Sequence, residues 1–169
     1  MKRWTIISTL SLLILSLHFS CRKSQNYSII PEIKYEDFIL HDTTDLLGNK
    51  GLVGKISFEF VDGDGDIGFI QPKDSISPND SSYYNMFFTL WAVVNGEIIK
   101  PDLKQPLNYR IPFIQPESQD PTVKGIIKVD FLYFSFPYDT ISYDFFIRDR
   151  KMHDSNIESS PFFILPAVE

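Results

Sequence analysis

The chain has 169 residues, of which 43% are hydrophobic and 15% aromatic, with a net charge of −6, three histidines and a single cysteine. An acidic chain without a basic block is a poor partner for nucleic acid, or for anionic lipid held by charge alone. One cysteine excludes an internal disulfide framework and a zinc site built from several thiolates.

The first element is MKRWTIISTLSLLILSLHFSC, Met1 to Cys21. Lys2 and Arg3 form a positive n-region, and Trp4 to Leu17 is almost wholly apolar, the layout of a secretory signal. A membrane-spanning helix needs about 20 apolar residues, and this run stops earlier, at His18. Cys21 follows the small Ser20, and the chain then turns polar (RKSQN). The arrangement resembles the lipobox of bacterial lipoproteins, in which the cysteine becomes the acylated N-terminus. It departs from that pattern at His18, where an aliphatic residue is usual. The resemblance implies a signal peptide over residues 1–20, palmitate or a similar acyl chain on Cys21, and attachment to the outer membrane. An uncleaved anchor and a plain secretory signal with a spare thiol are the alternative readings. Arg22 and Lys23 follow without the early acidic run that resembles a surface-export signal, which favours the periplasmic face over the cell surface.

Removing Lys2 and Arg3 from the 16 basic residues leaves 14 against 22 acidic ones, a net charge of −8. Residues 21–29 read as the lipidated cysteine and a short polar tether. Residues 30–169, about 140 in all, suffice for one domain with a genuine core. Strand patterns recur along it between clusters of Gly, Pro, Asn and Asp. Ile33 to Leu40 is the first. Gly54 to Val61 puts Ile56, Phe58 and Phe60 on one face and Lys55, Ser57 and Glu59 on the other, as a half-buried strand requires. Tyr83 to Val94 is long and aromatic and ends at Asn95-Gly96, a type I′ turn pair that folds Glu97 to Lys100 back as a hairpin. Pro101 to Pro121 is proline-rich, an edge strand or a crossing loop, with an apolar piece at Tyr109 to Ile114. Val123 to Tyr133 alternates again, Ile141 to Ile147 turns Ile141, Tyr143, Phe145 and Ile147 inward, and Pro161 to Pro166 closes the chain. About seven strands with no helix between them predict an all-β fold, a single antiparallel immunoglobulin-like β-sandwich.

One stretch breaks the strand pattern. VDGDGDIGF, Val61 to Phe69, sets Asp62, Asp64 and Asp66 two residues apart with Gly63 and Gly65 between them. This opens like an EF-hand loop, but the sixth position is Ile67 where glycine belongs and the twelfth is Lys73 where a bidentate glutamate belongs. The EF-hand is rejected on those two residues. The chemistry remains: three carboxylates within five residues repel one another unless solvent or a cation neutralises them. Hard oxygen ligands without histidine or cysteine favour calcium, with magnesium keeping more of its waters. The competing reading is a solvated Asp-Gly turn. If the loop caps the second strand, an immunoglobulin-like topology brings RDRKMHDSN (Arg148 to Asn156) to the same end. Asp149 is then the best added carboxylate, with Asp154 and Asn156 behind it, and Arg148 and Arg150 as alternative partners for the acidic loop.

FVDGDGDIGF, then YRIP (Tyr109 to Pro112), then FFIRDRKMHDSNIESSP resemble a family of uncharacterised Bacteroidota lipoproteins that pair D-G-D-G-D-I-G with D-R-x-x-x-x-S-N. The resemblance covers most of the mature chain and implies an envelope lipoprotein with an immunoglobulin-like fold. It brings no activity with it. Met152 and His153 stand where such chains often carry small residues, so that loop differs in shape.

Catalytic patterns are absent: there is no G-x-S-x-G and no H-E-x-x-H, and His41 and His153 read as exposed loop residues. Tyr83, Tyr84 and Trp91 could stack sugar rings, but their strand alternation reads as core. The sequence therefore points to a non-catalytic envelope lipoprotein whose calcium-binding loop rigidifies a surface for an envelope protein or glycan. A metal-free glycan-binding lipoprotein is the alternative, and an envelope enzyme the third.

Overall fold

The computed structural model describes residues 26–70, 83–116, 120–134 and 136–167. The signal peptide, Cys21 and the first part of the tether lie outside the described residues. Among these described residues nine strands follow in chain order: β1 (Glu32–Thr44), β2 (Lys50–Asp62), β3 (Met86–Val94), β4 (Glu97–Ile99), β5 (Leu107–Tyr109), β6 (Val123–Tyr133), β7 (Thr140–Ile147), β8 (Glu158–Ser159) and β9 (Phe163–Ile164). One sheet has the order β1-β2-β6, the other β4-β3-β7-β8, with β5 on β3 and β9 on β7. Every strand pairing is antiparallel. This is the immunoglobulin-like arrangement, strands A-B-E opposite C′-C-F-G.

Alternation builds the core. Ile56, Phe58 and Phe60 of β2 are buried, as are Ile141, Tyr143, Phe145 and Ile147 of β7. The two sheets meet through aromatic rings: Phe58 lies 4.9 Å from Phe145, and Phe131 of β6 stacks on Tyr143 at 4.5 Å. The Tyr133 and Tyr143 hydroxyls are buried but bonded to each other at 2.8 Å, so neither carries the penalty of an unpaired buried polar group. Asn95 and Gly96 take φ of 53° and 84°, the left-handed pair that a type I′ hairpin turn needs.

Three expectations change. Tyr83 and Tyr84 precede β3, because Asn85 turns its amide onto the Ile111 backbone (Oδ1 accepting at 2.6 Å, Nδ2 donating at 3.3 Å). Trp91 is on the outer face, where its indole N–H donates to Asp144 at 2.7 Å; the odd positions of β3 point away from the core. The last apolar strand, expected over Pro161 to Pro166, is only β9, and the unforeseen β8 precedes it; both pair with β7, with Pro161, which has no ladder donor, between them.

Candidate metal centre

β2 runs straight into the acidic motif, and its last residue, Asp62, is fully buried. Ile67, the residue that breaks the EF-hand pattern, is also fully buried and belongs to the main core. It plugs the loop into the sandwich, and its amide donates to Asp62 Oδ2 at 2.9 Å. Gly65 takes φ +67°, and a Cβ there would lie 1.9 Å from the Pro121 carbonyl oxygen. Only glycine fits that approach. The Gly63 amide donates to the Ser28 carbonyl at 2.8 Å, so the chain enters the domain beside this loop.

Asp62, Asp64 and Asp66 each contribute a carboxylate oxygen to a set lying within 4.8 Å of one another, and the cluster could hold a metal ion. Among the described residues, the Oδ1 atoms of all three are buried and, as carboxylate oxygens, find no hydrogen-bond donor. Buried polar atoms without partners are rare, and here three share one small volume. The electrostatics match. Burial, reinforced by the charges of Asp64 and Asp66, pushes the Asp62 carboxyl up to about 6. Burial, with Asp149 and Asp64 next, also raises Asp66. Burial acts upward on Asp64 too, but the Lys151 ammonium and the Asp62 carboxyl outweigh it and leave Asp64 below its ordinary value. Three negative charges are held closer than water alone would let them settle, and either a proton or a cation relieves them.

The segment after β7 does meet this loop, as the topology predicted: Asp149 forms a β-bridge with Ile67. Asp149 is fully buried, and its two oxygens face the His153 amide at 2.8 Å and His153 Nδ1 at 2.7 Å. It does not join the three converging oxygens, and its charge acts on Asp66 from behind. His153 is therefore half-buried and paired, where a free loop histidine was expected; His41 is exposed. Asp154 pairs with Arg148 and also lies outside the cluster. Asn156 holds the two sheets together: it accepts from the Ile33 amide at 2.8 Å and donates to the Ile33 carbonyl at 2.9 Å.

Arg150 binds the loop through carbonyls instead of carboxylates. Its guanidinium donates to Gly65, Ile67 and Gly68 at 3.2, 3.1 and 2.9 Å and lies over the Phe113 ring, and its amide donates to the Asp66 carbonyl. Lys151 was not foreseen. Its ammonium pairs with Asp64 and lies 3.5 Å from Asp66. The only sequence signal for it was the basic run RDRK itself. No protein-family model, no curated protein and no solved structure matches the chain.

Proposed function

We propose that this protein is a non-catalytic, membrane-anchored envelope lipoprotein whose acidic loop binds calcium and so fixes the end of the sandwich nearest its anchor. The observation that supports this most is the set of three partnerless, buried carboxylate oxygens on Asp62, Asp64 and Asp66. An all-oxygen donor set of this charge suits calcium. Water-filled vertices would complete the shell, and Asp149 backs it electrostatically. The ion stiffens the loop that leaves β2, which Arg150 fastens to the turn after β7, giving a rigid face for an envelope partner. Cys21 lies seven residues before Ser28, so an extended tether reaches at most about 25 Å. The braced end then stands close to the membrane, at its periplasmic face.

The test is a calcium titration of the melting temperature. Binding to the folded state alone stabilises by about 2.7 kcal/mol at 100 times Kd. Sites of this class bind at roughly 10⁻⁴ to 10⁻³ M, so calcium is taken to about 10 mM. An unmoved melting curve there, in the wild-type chain and in Lys151→Met alike, rejects the site. Anchoring is tested apart: Cys21→Ala should release the protein from membranes and abolish fatty-acid labelling, and retained labelling contradicts the lipobox reading.

A second reading, glycan binding without metal, draws on the outer face of β3 and β7. There Phe87 and Phe146 stack at 4.8 Å, on the same face as Trp91 four residues along β3. Arg148 already lies over both phenylalanine rings, at 5.2 and 5.9 Å, so a sugar would have to displace it. That ranks the reading second.

A further inference from the structure

We infer that Lys151 is a built-in competitor for the cation: its ammonium occupies the acidic cluster in the absence of metal and is expelled when metal enters. The inference rests on the calcium reading above and adds its regulation. The Lys151 ammonium contacts two of the three proposed ligands, Asp64 and Asp66. The ammonium lies on Oδ2 of each, while the donor-free atoms are the Oδ1; an ion drawn to these stands one carboxylate away from the ammonium, and the two cations repel each other.

The surrounding wiring lets the lysine leave without dismantling the loop. Residues Asp149 to His153 form a self-bonded turn, with the Asp149 amide on the His153 carbonyl at 3.1 Å and Met152 in the left-handed region at φ 69°. Arg150 fastens that turn to the acidic loop through backbone carbonyls alone. Its hold is therefore independent of what the carboxylates bind. The Lys151 side chain is 58% exposed, so a rotation about its own bonds carries the ammonium into solvent. The turn stays, and only the lysine moves. Such a device keeps the loop folded at low calcium and sets a threshold: the ion must outcompete a tethered charge before it binds.

The experiment uses the full chain in detergent, calcium chloride as the probe, and two readouts. Calorimetry compares the wild-type chain with Lys151→Met, which keeps the length of the side chain and removes the charge. The variant should bind calcium about five-fold more tightly, the scale of one exposed ion pair released. Amine acylation read by mass spectrometry follows Lys151 in the wild-type chain. Its labelling should rise across the calcium transition, while a remote lysine such as Lys100 stays constant. Binding by the variant alone up to about 10 mM, the range that covers weak extracellular sites, supports a lysine that holds the site shut. Unchanged or weaker affinity in Lys151→Met overturns the inference, and so does Lys151 labelling indifferent to calcium in a chain that binds it. If neither chain binds calcium, the metal reading falls and takes this one with it. Binding by both at equal affinity leaves the metal site standing and removes only the lysine's role.

Discussion

The turn that enters β2 and the loop that leaves it are both built on aspartate and glycine, and they treat a carboxylate in opposite ways. In Asp45 to Asn49 (DLLGN), Asp45 Oδ1 accepts from the Leu47 and Asn49 amides at 2.8 Å each, and Oδ2 accepts from the Asn49 side chain at 2.7 Å. Gly48 supplies the left-handed residue. The Asn49 side chain and amide, with the Leu47 and Gly48 amides, hold the Asp45 carboxyl below its ordinary value. That turn is complete. In Asp62 to Gly68 the carboxylates point at one another, three oxygens lack donors, and Asp62 is pushed up. Asp-Gly spacing alone therefore does not separate a turn from a site; what separates them is whether the chain's own amides reach the carboxylates.

The largest expected effect tests how the two are anchored. Ile67 is fully buried, whereas Leu46 and Leu47 stand out in solvent. Ile67→Ala should destabilise by about 2–5 kcal/mol in urea unfolding, the cost of truncating a packed core residue. Leu46→Ala and Leu47→Ala should each stay within about 0.5 kcal/mol. A similar cost at all three sites would mean that the acidic loop is no more anchored than the surface turn.

Calcium should then divide the two ends. Asp64→Asn should remove most of the calcium-dependent rise in melting temperature, a rise worth about 2.7 kcal/mol at 100 times Kd. Asp45→Asn should lower the melting temperature equally with and without calcium. Calcium protection that survives Asp64→Asn would place the ion elsewhere.

pH should move the two ends in opposite directions. Asp62 has a folded value of about 6 against 3.8 unfolded, so without metal its contribution to stability is fully present below 3.8 and is lost as pH rises through 6. Asp45 is shifted down, so its contribution is present above 3.8 and is lost as pH falls through its folded value. Metal-free Asp62→Asn should therefore melt above the wild-type chain at pH 7 and converge with it in acid. With saturating calcium at pH 7 the order should reverse. Proton and ion compete for one carboxylate, so calcium affinity should fall about ten-fold per pH unit below 6. Identical pH profiles for the variant and the wild-type chain would show that Asp62 is an ordinary carboxylate.

The strand pattern was legible because burial follows period two: the inward residues of β2 and β7 were read off directly, as were the Asn95-Gly96 turn and the meeting of the acidic loop with the segment after β7. What could not be read depends on contacts distant in sequence. Trp91 is apolar by composition yet faces outward, held by Asp144 from another strand. Ile67 looked like a defect in a loop motif and is its plug. Lys151 looked like one member of a basic run, and nothing local distinguishes an ammonium aimed at Asp64 from one in solvent. Asp149 was read as a ligand because its type and its end of the sandwich were right; His153, four residues on, takes both of its oxygens.

That reassignment of Asp149 gives the smallest and sharpest prediction. Asp149→Asn keeps an oxygen for the His153 amide and removes the charge behind Asp66. As a charge outside the coordination shell, it should change calcium affinity by no more than about five-fold, the equivalent of about 1 kcal/mol. Asp64→Asn, which removes a ligand, should cost far more. If Asp149→Asn weakens calcium as severely as Asp64→Asn, the His153 pairing breaks on binding, Asp149 swings in as a fourth ligand, and the turn after β7 is a moving part of the site instead of its fixed wall.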